Sequence, residues 1–141
     1  MRKLQQGFSI VSAIFLLVVL AFLGVAMTTF STAQNQGAAM DVMGSRAYQA
    51  ARAGVEWAAY HVAASGVWGG CAVGTTTTTT VVVAGDLAPF SPVTVNCSAA
   101  SYVEGATPIL IYDVSAVAQT TGSVAGDPDF VQRIISVKLG K

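Results

Sequence analysis

The chain opens with a long run of uncharged positions. After Arg2 and Lys3 no charged residue occurs before Asp41, and the stretch from Phe8 to Phe30 is almost wholly apolar. An α-helix needs roughly 20 apolar residues to cross a bilayer core of about 30 Å. The pattern therefore predicts a membrane-spanning helix over this stretch. Because basic residues beside such a helix stay on the cytoplasmic side, we expect the remainder of the chain beyond the inner face of the membrane.

Beyond the apolar run, the pattern becomes that of an amphipathic helix. Alanine, the strongest helix former, is abundant, and the first proline of the chain is Pro89. We therefore predict one helix from Phe8 to Ser65, with an amphipathic part over 31–66, and leave open whether it is continuous through Gln34–Gly44. Its second half carries one stripe of small and apolar residues that needs a partner: Ala47, Ala51, Val55, Ala58 and Val62.

The last part of the chain, over 67–141, is rich in β-branched residues and turn formers. In the third predicted strand Tyr112 and Val114 alternate with Ile111 and Asp113, so the two pairs are expected on opposite sides of the strand. The last two strands are predicted to form an antiparallel hairpin, and the fold to be α+β, with a small antiparallel sheet packed on the C-terminal half of the long helix. The predicted strands are Thr78–Val83, Thr94–Ser98, Ile109–Ala118 and Val131–Lys138.

Composition supports a membrane-associated protein and argues against a nucleic-acid partner. The 141 residues leave room for one domain plus an anchor, and 53% of them are hydrophobic while 10% are charged. The formal net charge is zero, with seven basic and seven acidic residues. Binding to DNA or RNA usually needs a clustered basic face, so we predict no nucleic-acid binding.

Two cysteines, Cys71 and Cys97, lie in the part expected outside the cytoplasm. An even number of cysteines in an oxidising compartment favours a disulfide, and two buried free thiols are the alternative. A zinc site made by these cysteines and His61 would lack a fourth ligand.

The chain offers few other groups for chemistry. Asp127 and Asp129 flank Pro128 and either contribute to a calcium site or shape a turn, and we favour the turn. The run from Thr75 to Thr80 is interpreted as an exposed loop leading into an edge strand, with a glycosylated or adhesive patch as the alternative. No phosphate-binding or nucleophile motif is present, and no groups converge by spacing, so we predict no enzyme activity, no cofactor and no metal.

The N-terminal segment has three interpretations. A cleaved secretory signal would use Ser31–Ala33 as its small-residue site, with cleavage before Gln34, but the apolar core of such signals spans only about 7–15 residues. An uncleaved anchor could carry an external domain of any function. The third interpretation uses Gly7, which closes a short basic leader, MRKLQQG, directly before Phe8.

That leader resembles the class III signal of type IV prepilins and related pseudopilins. The segment Ser45–Trp57, SRAYQAARAGVEW, is similar to the corresponding segment of the PilX-like, minor-pilin and K-type pseudopilin branch, which includes proteins for MSHA-type pili (mannose-sensitive haemagglutinin). The resemblance implies that prepilin peptidase cuts the leader 1–7 after Gly7 and methylates Phe8, and that 8–30 is retained as a filament-core helix. It implies four kinds of partner: prepilin peptidase, other pilin and minor pilin subunits, the inner-membrane assembly machinery and membrane lipid.

One departure from the family pattern narrows the expected role. Major pilins carry glutamate at the fifth mature position, which here is Ser12. A carboxylate in an apolar core is costly unless paired, so its loss suggests a scarce subunit at the tip or in the initiating complex of a pilus. The small residues Ala13, Ala21 and Gly24 are expected to permit close helix approach.

The expected location is the bacterial inner membrane, with a single-pass helix and a periplasmic C-terminal domain. Alternatives are a K-type pseudopilin of a type II secretion system, a membrane-tethered adhesin or binding module, and a membrane-anchored enzyme.

Overall fold

The computed structural model describes residues 10–65 and 70–141, and it confirms the α+β architecture. The predicted long helix is observed up to Ser65 and is continuous through residues 34–44, and the start predicted at Phe8 lies outside the described residues. In chain order the elements are helix α1 (Ile10–Ser65), strand β1 (Thr76–Val81), a 3-10 helix (Gly85–Phe90) and strands β2 (Val93–Glu104), β3 (Thr107–Gln119) and β4 (Gln132–Gly140).

Two compact units divide the chain, with the boundary between Ala39 and Met40. In the first unit, the described residues form the N-terminal part of α1. The second unit contains the remainder of α1 together with the whole sheet. The packing described next belongs to the second unit alone.

The four strands form one antiparallel sheet in the order β1-β2-β3-β4. The register places Thr78 opposite Asn96 on the first pair of strands and Val95 opposite Ala116 on the second. The hairpin predicted between the last two strands is confirmed. Strands β2 and β3 form another hairpin, whose turn contains Gly105 with a φ of +65°, a conformation that glycine adopts without a steric penalty.

One face of the sheet packs on the C-terminal half of α1, as predicted. In β3 the predicted alternation is confirmed, because Tyr112 and Val114 are buried while Asp113 is exposed. The helix stripe is built mainly from alanine, so little side-chain volume separates helix and sheet. The buried residues are Ala47, Ala50, Ala51, Ala58 and Val62 from α1, Val93, Val95, Cys97 and Ala99 from β2, and Tyr112, Val114, Ala116 and Ala118 from β3.

Gly54 marks the closest approach of the helix backbone to the sheet. A Cβ atom at this position would lie 2.9 Å from Cγ1 of Val93 and 3.1 Å from both Cγ2 of Val95 and Cβ of Ala116. Separations this short are tighter than van der Waals contact, so any side chain larger than hydrogen would push helix and sheet apart. Sequence pattern placed small residues on this stripe, but it did not single out Gly54.

The bounds of all four strands differ from the sequence-based prediction, in β3 by only one or two residues at each end. Strand β1 begins and ends two residues earlier than predicted, and β4 continues to Gly140. Strand β2 runs to Glu104 instead of ending at Ser98, because its backbone pairs with β3 although the sequence AASYVE has no clear alternation. The 3-10 helix was not predicted, and it buries Phe90.

We predict that Gly54→Ala destabilises the protein. The added methyl group overpacks the helix–sheet contact at a cost of about 1–3 kcal/mol, which exceeds the gain in helix propensity of about 1 kcal/mol at most. Urea unfolding of the detergent-solubilised chain, followed by tryptophan fluorescence, should give a lower free energy of unfolding. Gly37→Ala is the matched control, because nothing lies within 4 Å of its Cβ position. Equal stability of the two variants would contradict the packing described here.

Candidate assembly site

The N-terminal part of α1 exposes its large apolar side chains. Between Ile10 and Phe30 their exposed fractions range from 37% for Val19 to 77% for Ile10, and none of the most apolar window is buried in the molecule. These 21 helical residues span about 31 Å, which matches the hydrocarbon thickness of a bilayer. This helix is therefore long and apolar enough to serve as a single-pass anchor.

Hydroxyl side chains at the end of this apolar stretch are satisfied within the helix. Oγ1 of Thr28 donates to the carbonyl oxygen of Val25 at 2.8 Å, and Oγ1 of Thr32 donates to that of Thr28 at 3.0 Å. Thr29 makes the same kind of bond to Ala26. Because these donors need no partner from water, the threonines are compatible with an apolar environment around the helix.

The predicted assembly residues all lie on the exposed surface of this part of α1. Ser12, Ala13, Ala21 and Gly24 are exposed, and nothing lies within 4 Å of a Cβ atom built on Gly24. Ala13 and Gly24 are separated by about three helical turns and so share one side of the helix, with Ala21 nearby. The predicted processing residues, Gly7 and Phe8, lie outside the described residues.

A disulfide ties the segment after the helix to the sheet. Cys71 and Cys97 lie at bonding distance, as predicted, with Cα atoms 5.7 Å apart. Both are almost fully buried, and the register sets Cys97 between Thr77 of β1 and Val114 of β3. The bond therefore fixes the segment following α1 at the centre of the sheet.

The C-terminal end of the described helix has a second attachment. Nζ of Lys141 donates to the carbonyl oxygens of Val62 at 3.0 Å and Ala63 at 3.3 Å. The last carbonyl groups of a helix lack intrahelical donors, and a cation near them is favourable. Sequence analysis missed this contact because the partners are about eighty positions apart in the chain.

The residues considered above for catalysis or metal binding make structural contacts. The ring of His61 lies 4.2 Å from that of Trp57 and 5.7 Å from that of Tyr60, measured between centroids. The carboxylate of Asp127 accepts a bond from the backbone N–H of Val124 at 2.9 Å, which is the turn-shaping role. Within residues 10–65 and 70–141, no group of three or more metal-ligating side chains is close enough to hold an ion.

The threonine run was interpreted as a loop leading into an edge strand, but Thr76–Thr80 themselves form most of edge strand β1. Thr76, Thr78 and Thr80 are exposed, whereas Thr77 and Thr79 are partly covered on the helix side. Oγ1 of Thr78 donates to Oδ1 of the neighbouring Asn96 at 2.8 Å.

No family model, curated protein or solved structure matches this chain.

We predict that removing the disulfide by the double substitution Cys71→Ser and Cys97→Ser lowers the free energy of unfolding. The bond closes a loop of 26 residues, and the chain-entropy model assigns about 3–4 kcal/mol to a loop of this length. Urea unfolding under non-reducing conditions measures the difference. Reductant added during unfolding should destabilise the unsubstituted protein and leave the double variant unchanged. A double variant as stable as the oxidised protein would contradict the structural role.

Proposed function

We propose that this protein is a minor pilin-like structural subunit for biogenesis of a type IV pilus of the MSHA type. Residues 8–30 anchor it in the inner membrane with the sheet domain in the periplasm. After prepilin peptidase removes residues 1–7, the apolar helix leaves the lipid and packs against the helices of other pilin and minor pilin subunits. The resemblance of the leader and of Ser45–Trp57 to the MSHA pilus biogenesis protein MshP supports this choice.

The unpartnered surface of the N-terminal part of α1 carries the proposal. The C-terminal part of the same helix packs on the sheet through alanine and glycine, whereas residues Ile10–Phe30 present large apolar side chains without burying them. A surface of this kind needs an apolar environment, which lipid supplies first and other helices supply afterwards. The small residues Ala13 and Gly24 share one side of the helix, where a second helix backbone can approach closely.

Ser12 supports a special position for the subunit in the filament. Its side chain is exposed on the apolar helix, and serine can satisfy its hydroxyl within its own helix, as the threonines near Phe30 do. A serine therefore needs no charged partner on a neighbouring subunit, unlike a buried carboxylate. This difference favours the tip or the initiating complex over the repeating shaft. The runner-up function is a K-type pseudopilin of a type II secretion system, which uses the same helix chemistry.

Cleavage after Gly7 is the first test. Co-expression with a prepilin peptidase should remove seven residues from the chain and methylate Phe8, and Gly7→Phe should abolish this change because a large side chain replaces the glycine before the cut. Intact-mass spectrometry of the purified protein measures both the loss of seven residues and the added methyl group. Gly24→Phe is the matched control and should be cleaved normally. An unshortened chain in the presence of active peptidase, or a chain lacking the whole apolar helix, would exclude the proposal.

Location along the filament is the second test. A small epitope tag attached to the C-terminus should label purified pili at one end or at sparse points, because Ser12 lacks the charge pairing expected of a shaft subunit. Immunogold microscopy measures the distribution, with a tagged major pilin as the control for continuous labelling. Uniform labelling along the shaft would rule out a tip or initiating role.

A further inference from the structure

The two edges of the sheet differ sharply in charge. Strand β1 carries no charged residue, and none occurs from Ala72 to Gly85. At the other edge, β4 carries Arg133 and Lys138, both exposed, and Nζ of Lys138 lies 3.2 Å from Oδ2 of Asp113 on β3. Within the described residues, no strand pairs with the outer side of either edge. Native proteins commonly protect an edge strand with charge or proline, and β1 has neither.

Strand β4 runs alongside the C-terminal part of α1 and in the same direction. The guanidinium of Arg133, near the start of β4, lies 3.1 Å from the Cβ position of Gly44, and Lys141, just past its end, contacts Val62. The helix rises about 27 Å over these 18 residues, and an extended strand covers a similar length in eight residues. Since neighbouring strands alternate in direction, β1 runs opposite to β4 and to the helix.

These directions decide which edges of two copies can join. Antiparallel pairing of β1 with a second β1, or of β4 with a second β4, needs a two-fold axis normal to the sheet, which reverses the helix in the second copy. Two chains anchored in one membrane, as the proposed function requires, need helices that run in the same direction. Both of these like-edge pairings are therefore excluded.

We propose that β1 of one copy pairs with β4 of a second copy, so that the sheets join head to tail. An even number of alternating strands makes the two edges antiparallel to each other when both copies have the same orientation. Both helices then lie on the same face of the joined sheet. Four strands place equivalent helices about 19 Å apart, wider than a helix diameter of about 10–12 Å, so they do not clash.

The chemistry of the two edges suits this pairing. The uncharged β1 offers no like charge to Arg133 or Lys138 of the incoming strand. β-Branched residues also face each other, with Thr78 and Thr80 on the exposed face of β1 and Ile134 on that of β4. Ile134 is 59% exposed in the single chain, and a neighbouring strand would cover part of it. Such a head-to-tail contact is heterologous and can add further copies in the same way.

Photo-crosslinking tests the arrangement in the full chain reconstituted in phosphatidylcholine vesicles. A benzoylphenylalanine probe at Thr78 should give a covalent dimer in which the attached peptide comes from residues 132–140 of the second copy. The same probe at Thr94 is the matched control, because this residue lies on the same face but on interior strand β2, and its dimer yield should be about tenfold lower. Attachment to residues 76–81 of a second copy, attachment only to α1, or the absence of a dimer would overturn the proposal.

A charge substitution provides an independent test of the same pairing. Thr80→Lys places a charged residue on the β1 edge and should lower the dimer yield from the Thr78 probe about tenfold, because lysine on an edge strand disfavours pairing with a further strand. Thr94→Lys adds the same charge to the interior strand and should leave the yield unchanged. An unchanged yield in the edge variant would contradict the proposal. The experiment needs no peptidase, so failure of leader cleavage with the dimer present would count against the proposed function alone.

Discussion

The close packing of one helix face on the sheet is the constraint on which the folded domain depends. Gly54 and the alanines of the stripe leave almost no side chain between helix and sheet, so that Val93, Val95 and Ala116 contact the helix backbone region directly. Such packing gains dispersion contacts along its whole length without large side chains on the helix. The same helix uses leucine, isoleucine and phenylalanine before residue 31, where no described residue of the chain covers them. Residue size thus separates the part of the helix that packs on the sheet from the part whose apolar side chains are exposed.

Two attachments near the last described turn of α1 support this packing of helix on sheet. The disulfide joins the segment after α1 to the centre of β2, and Lys141 bonds to the carbonyl groups of the last described helical turn. Cys97 and Lys141 are distant in sequence from the last described helical turn, so tertiary contacts hold this part of the chain in place. This arrangement suits a domain with a small core, because a covalent loop closure limits the freedom of the unfolded chain.

Periodicity predicted most of the fold because helix and sheet bury their faces in regular patterns. The alternation around Tyr112 and Val114 identified the two faces of β3, and steps of three and four residues identified the stripe containing Ala47 and Ala58. Other features had no local signal. The extension of β2 to Glu104 depends on backbone pairing, and the roles of Gly54 and Lys141 depend on partners distant in sequence. At the candidate assembly site, the sequence identified small residues on the apolar helix, and no contact among the described residues defines their role.

The strand order determines the relative direction of the two edges of the sheet. A meander with an even number of strands ends in two edges of opposite direction, so copies with parallel helices can continue one another without turning any helix around. An odd number of strands would leave the two edges parallel, and parallel pairs have less favourable hydrogen-bond geometry. The lack of charge on β1 leaves this edge without the protection that charged residues give an edge strand. When the helices of two copies run in the same direction, the even-stranded sheet therefore allows head-to-tail continuation through antiparallel edges, and backbone geometry alone sets this polarity.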